Sequence, residues 1–135
     1  MGYRSDVAIA IYGETTVIAP FIAAHRLNSV YKTDYLKDAN IYEYRRSDTG
    51  PLDMTMICVE YQSIKWYDGY ELVKAWESLV EKANNHEEVN AEKVIIGEDY
   101  SDVTLECDGP DREYYLGIHR EINTENLPLK EGVTQ

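Results

Sequence analysis

Fourteen carboxylates fall between Glu60 and Asp111, and only Lys65, Lys74, Lys82 and Lys93 oppose them. That stretch holds −10 (4 − 14) of the chain's net −12, while residues 1–59 carry seven acids and six bases. Carboxylates at this density can ligate a hard cation, exchange protons as an acid–base pair, or present a field to a charged partner. For cation binding, Asp99, Asp102, Glu106, Asp108 and Asp111 supply oxygen ligands, but the twelve-residue calcium-loop spacing is missing. The sequence Asp108-Gly109-Pro110-Asp111 also puts a rigid proline where a coordinating loop needs freedom. Zinc is excluded for want of a Cys/His cluster. Acid–base work needs burial to drive two pKa values apart, and these acids fall in turns or on polar faces. No metal, cofactor or acid–base pair is expected. The field remains.

Nucleophilic chemistry finds no support. There is no Gly-x-Ser-x-Gly, and Cys58 and Cys107 lack a local catalytic signature; each lies in an apolar run, as a buried free thiol does. His25 falls on the apolar face of a helix, where a satisfied half-buried ring is expected. His86 lies at a helix end, where the dipole favours a cation, and His119 alternates within a strand. Tyr12-Gly13-Glu14 offers a phosphate one glycine and a repelling acid. Direct nucleic-acid binding needs clustered cations, and Arg45-Arg46 is too small a patch, although Arg4, Arg45, Arg46 and Arg120 can share one sheet surface. No apolar run approaches the roughly 20 residues of a membrane span. The opening Met1-Gly2-Tyr3-Arg4-Ser5-Asp6 lacks a signal-peptide layout, and Asp6 stands where myristoylation wants Ser or Thr, so a cytoplasmic protein is expected.

These side chains must be carried by something. The chain has 135 residues, 44% hydrophobic and 28% charged, which suits one soluble domain. Its aromatics are twelve Tyr and two Trp against one Phe, a choice suited to half-buried strand positions and interfaces. Residues 6–12 form a β-branched run that reads as a central strand ended by Gly13. Thr15 and Thr16 are candidate caps for a helix running to about Leu27, with Pro20 tolerated only near its first turn. A loop with a short helical turn fills 28–38. Residues 40–46 and 53–64 alternate about the turn signal Ser47-Asp48-Thr49-Gly50-Pro51 and predict a hairpin.

Asp68 and Glu71 have capping-box spacing before a helix whose stripe is Leu72, Val73, Trp76, Leu79, Val80 and Ala83. A polar connector over 87–91 leads to three short strands, at 93–97, 103–107 and 113–122. The order β-α-β-β-α-β-β-β predicts an α+β fold: an antiparallel-rich sheet with two helices on one face. Its core follows the ferredoxin-like split-βαβ plan, with an extra hairpin at the end. One domain over 1–122 and a loose tail over 123–135 are expected.

The opening Met1-Gly2-Tyr3-Arg4-Ser5-Asp6-Val7 resembles small proteins of tailed phages and prophages that begin in the same way. So do Ile64-Lys65-Trp66-Tyr67-Asp68-Gly69-Tyr70, leading into Val73-Lys74 and Glu77, and Ile95-Ile96-Gly97-Glu98-Asp99, followed by Asp102-Val103 and Glu106. The resemblance implies a mobile-element origin, expression in a bacterial cytoplasm and an accessory role upon host machinery; it carries over no functional residue. Joined to the charge, it gives the expectation of a non-enzymatic inhibitor. Glu71, Glu77, Glu81, Glu87, Glu88, Glu92, Glu98, Asp99 and Asp102 would meet the basic nucleic-acid-binding surface of a host protein, in the manner of a DNA mimic. An acidic face that merely keeps the protein soluble fits the same residues. The alternative is an interaction module or homodimer built on a sheet edge and Tyr3, Tyr42, Tyr44, Tyr114 and Tyr115. An enzyme would need a pocket gathering His25 or His119 with a desolvated carboxylate.

Overall fold

The computed structural model describes residues 3–32, 34–99, 102–110 and 116. The first strand, β1, spans Ser5–Glu14, and helix α1 follows over Thr15–Leu27. A 3-10 turn at Tyr35–Asp38 leads into β2, Asn40–Tyr44, and β3, Met54–Ile64. Helix α2 covers Glu71–Asn84, and β4, Asn90–Gly97, and β5, Val103–Asp108, complete the described elements. The five strands form one antiparallel sheet in the order β2-β3-β1-β4-β5. This is the expected α+β arrangement, a split-βαβ core with β5 added outside β4. The expected strand over 113–122 and the tail over 123–135 lie outside the described residues, apart from Leu116.

Period-two alternation divides β1 between two environments. Val7, Ile9 and Ile11 point to the helices, where they join Ile57 and Val59 of β3, Ile18 of α1 and Ala75, Trp76, Leu79, Val80 and Ala83 of α2 in one core. The periodic stripe of α2 is thereby covered, as its spacing demands. Ala8, Ala10 and Tyr12 point to the opposite face. Across that face the register sets Cys58, Ala10, Glu92 and Cys107 in one row, with Met56, Tyr12 and Asn90 in the next.

Both helix N-caps differ from the expectation. α1 begins at Thr15 with Glu14 as N-cap and no side-chain cap bond; the Thr15 hydroxyl instead meets the Thr55 hydroxyl at 2.7 Å. Pro20 therefore sits in the second turn, where its missing N–H leaves the Thr16 carbonyl without its helical donor. α2 begins at Glu71 with Tyr70 as N-cap, so Asp68 and Glu71 do not form a capping box. A tight turn, Tyr70 N–H to Tyr67 C=O at 2.9 Å, holds Asp68 outside the helix. β4 begins at Asn90, absorbing part of the segment that reads as a polar connector.

Candidate interaction surface

The register decides where the acids go. Ile64 ends β3 opposite Ser5, and Asn90 opens β4 opposite Tyr12, so α2 must travel from the Ser5 end of the sheet to the Tyr12 end. β4 then returns to the Ser5 end at Gly97. Glu71, Glu98, Asp99 and Asp102 consequently lie at one end, Glu87 and Glu88 at the other, and Glu77 and Glu81 along the helix between them. Eight residues of β4 separate the two loops, about 23 Å. Glu71, Glu81, Glu87, Glu88, Glu98, Asp99 and Asp102 are exposed. Among the described residues, the ion pairs join Arg26 to Asp34, Arg46 to Glu14, and Lys93 to Glu77 and Glu106, so Glu81, Glu87, Glu88, Glu98 and Asp102 enter none.

The first residues of the chain hold the loop at the Ser5 end. The Tyr3 hydroxyl donates to Asp102 Oδ2 at 2.8 Å and accepts the Asp99 N–H at 2.8 Å. The Arg4 N–H donates to Glu98 Oε1 at 2.7 Å, and its guanidinium reaches the Ser63 carbonyl at 2.7 Å. A Cβ at Gly97 would run into the Tyr3 hydroxyl and the Asp102 carboxylate, so a larger residue there would push these two side chains aside. These contacts fix the acids by neutral donors and leave their charge facing water. Tyr3 and Arg4 were not legible as loop anchors, because the pairing of β1 with β4 is what brings them there.

Two of the nine expected contact residues are corrected in character. Glu77 is half-buried and gives both oxygens to Lys93 Nζ, at 3.1 and 2.9 Å, with Glu106 3.4 Å away. Lys93 is only 8% exposed. Burial alone would lower its pKa, yet Glu77 and Glu106 reverse this and hold it above the ordinary lysine value. Glu92 is 1% exposed and points to the opposite sheet face, where no partner can touch it. Its carboxylate accepts from the Tyr12 hydroxyl and, at 2.7 Å, from the Leu116 N–H. Alternation is the reason: Lys93 takes the helix side, so Glu92 must take the other.

Among the described residues, His25 and His86 are not gathered with a desolvated carboxylate. His25 is 5% exposed, and neither ring nitrogen has a hydrogen-bond partner, against the satisfied ring expected. Burial, aided by the charge of Lys82, lowers its pKa. It stands edge-on to Tyr35, whose ring stands edge-on to Trp76. A shallow cleft of about 510 Å³ between α1 and the end of α2 includes His25, Lys82, His86 and Glu88 in its walls, with Val17, Pro20 and Phe21. His86 Nδ1 accepts the Glu88 N–H at 3.1 Å, which commits it to its own turn. No carboxylate there is desolvated. Burial, with Glu60 and Glu92, pushes the Cys58 thiol up and away from reactivity. Among the described residues no group of three His, Cys, Asp or Glu side chains is placed to hold a metal, and no helix is long and apolar enough to cross a membrane. His119 lies outside the described residues. No known protein family, curated protein or solved structure matches the chain.

Proposed function

We propose that this chain is an acidic, non-enzymatic accessory protein that occupies a basic nucleic-acid-binding surface on a host protein and blocks it. One observation carries the reading: α2 and the loops at both ends of β4 present exposed carboxylates along a single half of the molecule. Glu71, Glu81, Glu87, Glu88, Glu98, Asp99 and Asp102, less Lys74 and Lys82, give −5 (2 − 7), with Glu77 and Lys93 paired to each other beneath them. One strand of a duplex carries about seven charges over about 23 Å, and both strands about twice that. The face thus approaches the density of one backbone strand and falls well short of a duplex. A groove that tracks a single strand is the matching partner, and steering by the field speeds the encounter. The resemblance to tailed-phage proteins makes a bacterial nucleic-acid or defence enzyme the natural owner of such a groove.

The test is capture of partners from bacterial lysate at low and high ionic strength, with single-stranded and duplex DNA as competitors. Capture should fall steeply with salt, yield to DNA, and vanish in the double variant Glu87→Lys/Glu98→Lys. Capture that ignores salt, or survives that reversal, discards the proposal. A second reading, self-association through the sheet edge, is favoured by β2, whose residues are exposed along most of its length.

A further inference from the structure

We infer that the cleft between α1 and the end of α2 binds a small aromatic amine, its ring lodged against Phe21 and His86 and its ammonium turned toward Glu87 and Glu88. The inference goes beyond the accessory-protein reading and stands without it. The hollow, about 510 Å³, is of the size that holds a small molecule. Val17, Pro20, Phe21 and Ala24 of α1 make its apolar side. A second hollow of about 200 Å³ has Glu14, Arg46, Glu87 and Glu88 in its walls. Val17 and Glu88 border both, so the apolar and the acidic hollows adjoin there.

The apolar hollow suits a planar ring with a polar edge. Phe21 is half-buried, which leaves part of its ring uncovered, and it stands edge-on to His86 with ring centroids 5.6 Å apart. A third ring can complete that corner. His25, in the same wall, is 5% exposed with both ring nitrogens unpartnered. Burying an imidazole without a partner is costly, and a ring N–H in the cleft offers the partner that the protein withholds.

Charge sets the direction of the ligand. Glu14 is paired with Arg46 at 3.2 Å, whereas Glu87 and Glu88 enter no ion pair among the described residues. The acidic hollow therefore carries −2 (1 − 3). Lys82, in the last turn of α2, borders the apolar hollow and not the acidic one. A cationic head is repelled by Lys82 and drawn to Glu87 and Glu88. Glu88 is also set in place before any ligand arrives. Its N–H is bound by His86 Nδ1 at 3.1 Å, and its carbonyl backs onto Gly13, only 3.0 Å from where a Cβ would stand there.

Tryptamine is the probe: an indole, whose N–H can meet His25, on a short arm ending in an ammonium that is charged at neutral pH. Titration of the full chain, followed by calorimetry and amide chemical shifts, should give saturable binding with shifts at Val17, Phe21, His86 and Glu88. Tryptamine should bind about tenfold or more tightly than indolepropionate, which reverses the head, or butylamine, which lacks the ring. Glu88 and Lys82 are exposed, so circular dichroism should show an intact fold in Glu88→Gln and Lys82→Gln. The first should weaken tryptamine about threefold or more, and the second should tighten it. Absence of saturable binding, shifts confined to another surface, or equal binding of the three probes overturns the inference. Tighter binding of indolepropionate, lost in Lys82→Gln, overturns it too and marks the cleft as an anion site.

Discussion

At the scale of single residues, two buried polar groups set the stability of this protein against pH and substitution. His25 is held neutral by burial and by Lys82, so its folded pKa lies below the ordinary 6.5. Above pH 6.5 it contributes no pH dependence. As pH falls below that value, the unfolded chain takes up a proton that the folded chain refuses, and stability declines until the lower folded pKa is reached. The slope from this residue is at most about 1.4 kcal/mol per pH unit. His25→Leu should remove it, so urea midpoints of the two proteins should converge or cross in favour of the variant between pH 7 and 5. Curves that run parallel would contradict the assignment. Glu92 gives a second expectation. Glu92→Leu leaves the Tyr12 hydroxyl and the Leu116 N–H without their acceptor and should lower unfolding free energy by about 2–4 kcal/mol. Glu92→Gln retains an acceptor and should lose about 1 kcal/mol, with partner capture unchanged. A large loss of capture on Glu92→Gln at intact stability would return this residue to the surface set.

At the scale of elements, α2 is well patterned and poorly begun. Its apolar stripe is fully used, but Tyr70 at the N-cap offers no side-chain acceptor to the first turn. Tyr70→Asp should stabilise the protein by about 0.5–1 kcal/mol, and Asp68→Ala should change it by less than about 0.5 kcal/mol. The reverse ranking in chemical denaturation would mean that Asp68 caps the helix in solution. This helix also shows what a sequence can and cannot disclose. The stripe from Leu72 to Ala83 and the β-branched run of β1 were readable because burial on one face imposes a period. The hairpin of β2 and β3 was readable because turn residues punctuate two alternating runs. The helix start was not, since Asp68 and Glu71 have capping-box spacing whether or not the chain turns between them. Asn90 and Glu92 read as connector because they are polar; only the pairing with β1 reveals that they lie within β4 and face away from the helices. The acidic character of the surface was likewise plain, whereas the loss of Glu92 and the pairing of Glu77 with Lys93 depend on which side of β4 each residue takes.

At the scale of the whole molecule, the charge is lateral rather than global. The β2 side holds Lys37 and Arg45 near Asp38 and Glu43, Arg46 reaches Glu14 in a pocket shared with Glu87 and Glu88, and residues 71–108, from α2 through β5 with their connecting loops, carry −8 (3 − 11) of the −12. A field of this shape orients an approaching cationic groove before contact and acts chiefly on the association rate. Position should therefore matter more than total charge. Two double variants change the net charge equally: Glu87→Lys/Glu98→Lys on the acidic half, and Asp48→Lys/Glu60→Lys on the exposed turn after β2 and on β3. If the field guides binding, the first pair should slow association with a captured partner by about tenfold or more at low salt, and the second should alter it by less than about threefold. The dissociation rates should differ far less than the association rates, and the gap between the variants should close as salt shortens the Debye length toward about 3 Å near 1 M. Equal slowing by both pairs would mean that the partner senses only net charge, and the acids of α2 and its flanking loops would then act as a solubilising coat rather than a recognition face.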